Sequence, residues 1–352
     1  MNLNIEIKLY DNLNSELEKI WEQNNISNYF FQSHIFLKSF LNFTKNKKKI
    51  KRIFLLVICN SKPFCILPLE KISIFSVQII RWIGNHDFDF CAPIVLNNDF
   101  FKITKNNFDE IWSGVKNKLF DFDLIFLNNQ PEFIKDYENP FVKFLHKKHC
   151  SQNYFVLLEN NLEKYYDSIK KNHNNYKRFR RYKNKLLKNY FLDFKCFYGY
   201  TNEITVNEII KNKINLLNQE KKKINLNDNN VQINNQIAKY HPNNFLISYL
   251  KIEKNIIHAS ISYVYKNVLY YYITTDVKNN YKNYPIGKIF ISYLIEWCYK
   301  NNLKKFDFCL GDENYKKFFS NKKQIISKYF FGKSLKGKII IFLINFYLKL
   351  KN

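Results

Sequence analysis

The stretch from Phe245 to Leu310 constrains the fold more than any other part of the chain. Three apolar runs, Phe245 to Leu250, Ile256 to Tyr265 and Val268 to Thr275, are separated only by short turns at Glu253-Lys254-Asn255 and Lys266-Asn267, which reads as a three-strand meander. Pro285 then opens a helix on which Ile286, Ile289, Phe290, Tyr293, Leu294 and Trp297 follow the 3.6-residue period; Asn301 and Asn302 end it, and Phe306 to Leu310 is the next strand. A strand that follows a crossover helix lies parallel to the strand before it, so this sheet is mixed.

At 352 residues the chain exceeds one ordinary core, and two domains are expected, residues 1–150 and 151–335, with residues 336–352 as a basic and apolar terminal helix. The first half reads as mixed α/β. Leu13, Leu17, Ile20 and Trp21 recur at helical spacing, and Ser33 is placed to cap a second helix carrying Phe36, Leu37, Phe40 and Leu41. Ile53 to Cys59 and Phe64 to Leu69 flank Asn-Ser-Lys-Pro as a hairpin, Gln78 to Ile83 ends at Gly84, and a helix near Phe108 to Leu119 leads to Leu124 to Leu127. In the second half, Tyr154 to Leu158 reads as a strand, Leu162 to Asn189 as one long helix, Phe191 to Phe197 as a strand and Glu203 to Gln219 as an amphipathic helix. Glu220 to Gln236, rich in Asn and Lys, reads as a loop or lid.

The net charge of +26 would ordinarily suggest nucleic acid, but Asn, Lys, Ile, Phe and Tyr are abundant while Ala and Gly are scarce, the bias of an AT-rich genome, so most lysines carry little information. Residues that resist the bias carry more. Five Arg occur, and three of them, Arg178, Arg180 and Arg181, lie within Ile169 to Lys188, a stretch of nine basic and no acidic side chains. Guanidinium groups suit the phosphates of a sugar nucleotide, a phospholipid head group or CoA. A solvated face is the plainer reading for the lysines, and nucleic acid, backed by Tyr176, Phe179 and Tyr182, is the least favoured of the three.

Seven Cys without a C-x-x-C pair indicate a reducing compartment. His146, His149 and Cys150 form a weak H-x-x-H-C signal with no second cluster, so no metal is expected. The polar N-terminus lacks the apolar core of a signal peptide, and a cytoplasmic protein is expected. Ile339 to Leu350, flanked by lysines, is too short to span a bilayer. It reads either as a helix docked on its domain or as an interfacial anchor drawn to anionic lipid, giving peripheral membrane contact.

The run Tyr270-Tyr-Tyr-Ile-Thr-Thr-Asp276, then Tyr281, Tyr284 and Pro285-Ile-Gly287, a helix, Phe306-Asp-Phe308, Gly311-Asp-Glu313 and Tyr315-Lys316 resembles the GNAT-type acetyltransferases of the CelD/BcsL group, relatives of the FemABX aminoacyl transferases. The likeness is specific over Asn244 to Phe319. It extends more loosely to Arg180-Arg181 with Lys185-Leu186 and to Arg81-Trp-Ile-Gly84 followed by Asp89-Phe90, while the additional Arg that relatives carry one turn before the Arg pair is replaced by Tyr176 or Lys177. The resemblance implies an α/β (α+β) fold of tandem GNAT-like domains, each a mixed, partly antiparallel sheet flanked by helices. It also implies an acyl-CoA, such as acetyl-CoA, as co-substrate.

In such a fold two strands part to hold the pantetheine arm, and the following helix N-terminus faces the pyrophosphate, where free N–H groups and the helix dipole favour anions. Ile286, Gly287 and Lys288 are the corresponding cofactor-binding stretch, although the usual glycine-rich loop is absent and an ordinary Pro-initiated helix is the plainer reading. Asp307 alternates with Phe306 and Phe308, so within a sheet it must be paired or face a cleft, as a general base or as a structural partner. Tyr315 and Lys316, just past the glycine turn, are placed to protonate a leaving thiolate and to bind an anionic group; otherwise they are a Tyr at a domain seam and a solvated Lys. Asp312 and Glu313 read as caps of the next helix. Asp89 is carried over as a substrate-binding residue, beside His86 and Asp87 in a polar loop, and His258 reads as a satisfied core histidine.

The function expected is acyl transfer from acyl-CoA to an amine or hydroxyl of an envelope glycan, exopolysaccharide precursor or lipid-linked sugar. Two alternatives stand beside it: a FemABX-like transferase that uses aminoacyl-tRNA on a peptidoglycan precursor, and a non-catalytic binding protein on the same fold.

Overall fold

A computed structural model describes residues 3–24, 26, 29–44, 50–85, 87–159, 161–222, 226–277, 281 and 283–351. The expectations for His86 and for the side chains of His149 and Cys150 lie outside that set. The chain divides into two compact units, Met1–Ser151 with Gln324–Asn352, and Gln152–Lys323.

In chain order the first stretch forms β1 (Ile5–Tyr10), α1 (Ser15–Asn24), α2 (His34–Thr44), β2 (Ile50–Cys59), β3 (Lys62–Ile74), β4 (Val77–Trp82), β5 (Ile94–Val95), α3 (Lys105–Leu119), β6 (Leu124–Pro131), the small ribbon β7 (Phe133–Ile134) and β8 (Tyr137–Glu138), and α4 (Pro140–Phe144). Then come β9 (Lys147–Leu157), α5 (Leu162–Asn172), α6 (Tyr176–Asn189), β10 (Leu192–Tyr198), α7 (Val206–Gln219), α8 (Asp228–Tyr240), β11 (Phe245–Ile252), β12 (Asn255–Tyr265), β13 (Val268–Asp276), α9 (Ile286–Lys300), β14 (Lys305–Leu310) and α10 (Asn314–Phe319). The strand β15 (Lys322–Gly332) and helix α11 (Leu335–Lys351) close the chain. Local chemistry sets several boundaries. The Ser33 hydroxyl accepts the Phe36 N–H at 3.2 Å to start α2, and Thr205 with Glu208 forms a capping box at α7.

The two units repeat one plan. In the first, strands run in the order β1-β2-β3-β4-β6-β15, antiparallel except for the parallel pair β4 and β6 joined through α3. In the second they run β10-β11-β12-β13-β14-β9, antiparallel except for β13 and β14 joined through α9. Each unit is thus a meander, a crossover helix, a parallel strand and one further antiparallel strand. The mixed sheet read from Phe245 to Leu310 is present, and the tandem GNAT-like architecture with it. The further strand of the first unit is β15, so residues 324–335 pack with the first unit rather than closing the second.

Two expectations are corrected. The long helix over 162–189 is two helices, because His173 turns to an extended backbone and ends α5, its N–H donating to the Ile169 carbonyl, and α6 starts only after Asn175. The stretch taken as a loop or lid contains most of α8, whose buried positions Asn230, Ile233, Asn234, Ile237 and Ala238 keep a helical period. Two of these five are Asn, which hides the pattern; Asn234 is at home there because its Oδ1 accepts the Tyr263 hydroxyl at 2.8 Å.

Candidate active site

The parallel ladder between β13 and β14 has three rungs, Val268 with Lys305, Leu269 with Phe306 and Tyr270 with Asp307. Past Asp307, β13 runs on to Asp276 while β14 bends towards β9. Four residues of β14, Asp307 to Leu310, span three of β9, Phe155 to Asn153, which is a one-residue bulge, and Cys309 takes a positive φ of 58°. Asp307 causes the bend. Its Oδ1 accepts the Cys309 N–H at 2.9 Å, and Asn153 Nδ2 clamps the bulge by donating to that oxygen at 2.7 Å and to the Cys309 carbonyl at 3.1 Å. Lys305 Nζ lies 2.8 Å from Oδ2, and the carboxylate is 0% exposed. Of the two roles read for Asp307, this geometry fits the structural partner.

The first unit shows the same parting after three rungs, Ile79 with Leu124, Ile80 with Ile125 and Arg81 with Phe126. There the loop after β4 lies along the open edge of β6: Asn129 Nδ2 donates to the Phe88 carbonyl at 2.8 Å, and the Cys91 N–H donates to the Asn129 carbonyl at 2.9 Å. Asp89 belongs to this loop and to the first unit, beside the fully buried Cys91 thiol, which burial and the Asp89 charge hold well above its usual pKa.

At the other side of the second unit's gap, α9 begins at Pro285, which has no side-chain oxygen to cap it, and the first intrahelical bond runs from Ile289 N–H to the Pro285 carbonyl. The N–H groups of Gly287 and Lys288 precede that bond. A Cβ on Gly287 would lie 3.5 Å from His258 Cε1, so the helix start packs closely on β12. Helix α6 is drawn alongside α9 by Lys183 Nζ, 3.0 Å from both Glu296 Oε1 and Ser292 Oγ. This places Arg178 at a pocket of 350 Å³ lined also by Asn175, Phe179, Tyr182, Tyr284, Pro285 and Lys288. Burial lowers the pKa of Lys288, and the adjoining Arg178 and Arg181 guanidinium groups lower that of Tyr182. The pocket therefore gathers cations at a helix N-terminus. Arg181 reaches it through the Tyr182 ring, 5.6 Å from its guanidinium, whereas Arg180, two residues from Arg178, lies about 200° round the helix and does not line it.

Gly311, at φ 129°, forms the floor of the turn after β14. A Cβ there would sit 2.2 Å from Glu313 Oε2 and 2.6 Å from Lys316 Nζ, so the pair lies directly across it. Lys316 is 4% exposed, donates to the Leu310 carbonyl and pairs with Glu313 at 3.0 Å, which is not a solvated lysine. Tyr315 is half-buried with its ring against Phe308. Neither carboxylate before α10 caps it. Asp312 instead accepts the Tyr154 hydroxyl at 2.7 Å and pairs with Lys317, and Glu313 pairs with Lys316, because an ammonium is the stronger partner.

Two further side chains, Asp276 and Lys213, escaped the sequence reading. His258 is buried and satisfied, as expected, but its partners lie on the open end of β13: Nδ1 meets Asp276 Oδ1 at 2.7 Å and Nε2 meets Thr274 Oγ1 at 2.8 Å. Burial pushes the Asp276 pKa up, yet the His258 hydrogen bond and charge outweigh it and the net shift is down. Lys213, on α7, is within electrostatic reach of Asp276, Glu313 and Lys316, and burial lowers its pKa. Its only sequence signal was a Lys on the apolar side of a helix. No cluster of three or more His, Cys, Asp or Glu fit to hold a metal occurs among the described residues.

A parallel strand pair parted after three rungs, with an uncapped helix start and cations around that start, is the arrangement of a GNAT-like fold. Residues 173–317 match the family model described as an acetyltransferase (GNAT) domain. Among solved structures the chain is similar to FemX at 8% identity and a TM-score of 0.59, over 92% of this chain and 97% of that one. It is also similar to L-PGS from Bacillus licheniformis, at 11% and 0.54 over 96% and 97%. A third is the C-terminal domain of a protein assigned as a lysylphosphatidylglycerol synthetase from Agrobacterium fabrum, at 8% and 0.54 over 93% and 95%. At these identities the likeness is one of fold. No curated protein matches the sequence.

Proposed function

We propose that the second unit transfers an acyl group, acetyl in the simplest case, from acyl-CoA to an amine or hydroxyl of an envelope glycan, exopolysaccharide precursor or lipid-linked sugar, in the manner of the CelD/BcsL group. The observation that carries this reading is the gap between β13 and β14 with the uncapped start of α9 and the Arg178–Lys288 pocket beside it. Acyl-CoA would supply a thioester carbonyl open to attack. The residues present fit its anionic end: Gly287 and Lys288 N–H groups, the Lys288 ammonium and the Arg178 guanidinium suit phosphates, and the backbone of β13 beyond its last rung with β14 suits the pantetheine amides. Ile286 orients that helix start.

At the mouth of the gap, Lys213 is the proton acceptor for the attacking group, since burial favours its neutral form. Lys316, fixed by Glu313 and Leu310, faces the developing oxyanion or an anionic acceptor group. The Tyr315 hydroxyl returns a proton to the departing thiolate. Asp307 keeps the gap open, and Arg180 and Arg181 extend the positive face of α6.

A second reading replaces acyl-CoA with aminoacyl-tRNA, as a FemABX-like transferase would use on a peptidoglycan precursor. The exposed guanidinium groups on α6 support it, as does whole-chain similarity to FemX and to proteins described as lysylphosphatidylglycerol synthetases. The two separate in one assay. Purified protein with an envelope extract is expected to release thiol from acetyl-CoA and to mark one class of glycan or lipid-linked sugar by mass; transfer only from charged tRNA would replace the first reading with the second, and neither activity would leave a binding protein.

A further inference from the structure

The feature of the fold that acyl transfer does not use is the outer face of α11. Leu335, Ile339, Phe342, Leu343 and Phe346 fall at i, i+4, i+7, i+8 and i+11, which is one stripe of a helix, and they are 74%, 50%, 67%, 56% and 55% exposed. The stripe points outward because the helix start is pinned from behind. The Lys333 N–H donates to the Asp123 carbonyl at 2.8 Å, the Ser334 hydroxyl donates to the Asp123 carboxylate, and a Cβ on Gly337 would meet the Asp123 carbonyl oxygen at 2.0 Å. Phe120, 70% exposed, stands next to it, since Lys333 Nζ donates to its carbonyl.

An apolar face of this kind needs a cover. Residues 324–352 hold six Lys and no Asp or Glu. A second copy of the chain would bring the same charge to the same place and repel it, whereas an anionic surface complements it. No helix among the described residues is long and apolar enough to cross a membrane, and Lys336 and Lys338 stand at the start of the apolar run, where side chains of an in-plane helix reach the head groups.

We propose that α11 with Phe120 docks on an anionic lipid bilayer, the helix lying in the head-group plane with Phe342, Leu343 and Phe346 inserted. This surface is built entirely by the first unit and stands whether the donor of the second unit is acyl-CoA or aminoacyl-tRNA.

The test is co-sedimentation of the full chain with vesicles of phosphatidylcholine alone and of phosphatidylcholine with phosphatidylglycerol, in low and high salt. Binding is expected to the anionic vesicles and to weaken with salt. Phe342→Glu with Leu343→Glu should lower the partition coefficient by at least about tenfold, and Lys336→Gln with Lys338→Gln by about thirtyfold, on the usual worth of a basic residue near such a surface. Thermal melting should be unchanged in both pairs, because all four side chains are exposed. Equal binding by parent and variants, or no binding to either vesicle, overturns the proposal. So does a dimer of the parent that the Phe342 and Leu343 changes dissolve, which would assign the face to a second copy.

Discussion

The Asp307 carboxylate accepts the N–H of Cys309, two residues ahead in the same strand, at 2.9 Å, and that bond turns β14 away from β13. Asp307→Asn leaves Lys305 beside a neutral amide and breaks an enclosed ion pair, a change that costs about 3–5 kcal/mol. The expected outcome is a large loss in denaturant midpoint, with turnover per folded molecule within tenfold of the parent. A variant of unchanged stability whose kcat falls by roughly 10²–10⁴, the range of general-base catalysis, would restore Asp307 as the base.

Gly311→Ala should separate the position of Lys316 from its presence. The new methyl would overlap both Glu313 and Lys316, and the positive φ adds strain of about 1–3 kcal/mol. Turnover should fall nearly as far as in Lys316→Ala, while the KM for the acyl donor stays near the parent's.

The pocket at the start of α9 predicts an unequal arginine series. Charge-assisted hydrogen bonds contribute about 1.5–3 kcal/mol, so Arg178→Ala and Lys288→Ala should each raise the KM for acyl-CoA by roughly ten- to a hundredfold. Arg180→Ala, which faces away, should change it less than about twofold. Calorimetric titration with CoA measures both.

Lys213 predicts a pH limb. A lysine accepts a proton only when neutral, so kcat/KM should rise with pH and level off above the Lys213 pKa; burial places that limb below the ordinary lysine range near 10.4. Lys213→Arg keeps the charge but cannot lose its proton at these pH values, and it should abolish the limb together with most of kcat. A pH–rate profile of parent and variant decides the point.

Asp276 governs acid stability. Its folded-state pKa is depressed, so it contributes stability above its unfolded value near pH 4, and that contribution is lost as pH falls through the lower folded value. Asp276→Asn should therefore melt below the parent at pH 6 and together with it near pH 2, as followed by circular dichroism.

The legible parts of this fold were those whose signal is local. The meander over 245–275, the Pro285 helix and the strand at 306–310 all stand where apolar period and turn residues put them. The miss at α8 has a definite cause, since Asn230 and Asn234 occupy buried helical positions that a hydrophobic pattern counts as breaks. The single helix drawn through 162–189 failed for the opposite reason: apolar spacing continues on both sides of a break made where His173 turns to an extended backbone. At the candidate site, Arg178, Gly287, Lys288 and Lys316 are residues that their types and their places around turns single out in the sequence. Asp276 and Lys213 are not, because one is the last residue of a strand and the other a lysine among many.

By itself, then, the sequence determined the order of most elements and the mixed sheet with its crossover, because turns, caps and periodicity are properties of neighbours in the chain. Only the tertiary structure decided that Asp307 is spent on a bulge, that Lys213 comes within electrostatic reach of Asp276 and Lys316, that Arg178 but not Arg180 lines the pocket, and that the gap of the first unit is lined by its own loop. Each of these depends on which polar group is desolvated and what it meets there. Both are set by residues up to 154 positions away, as with Asn153 and Asp307.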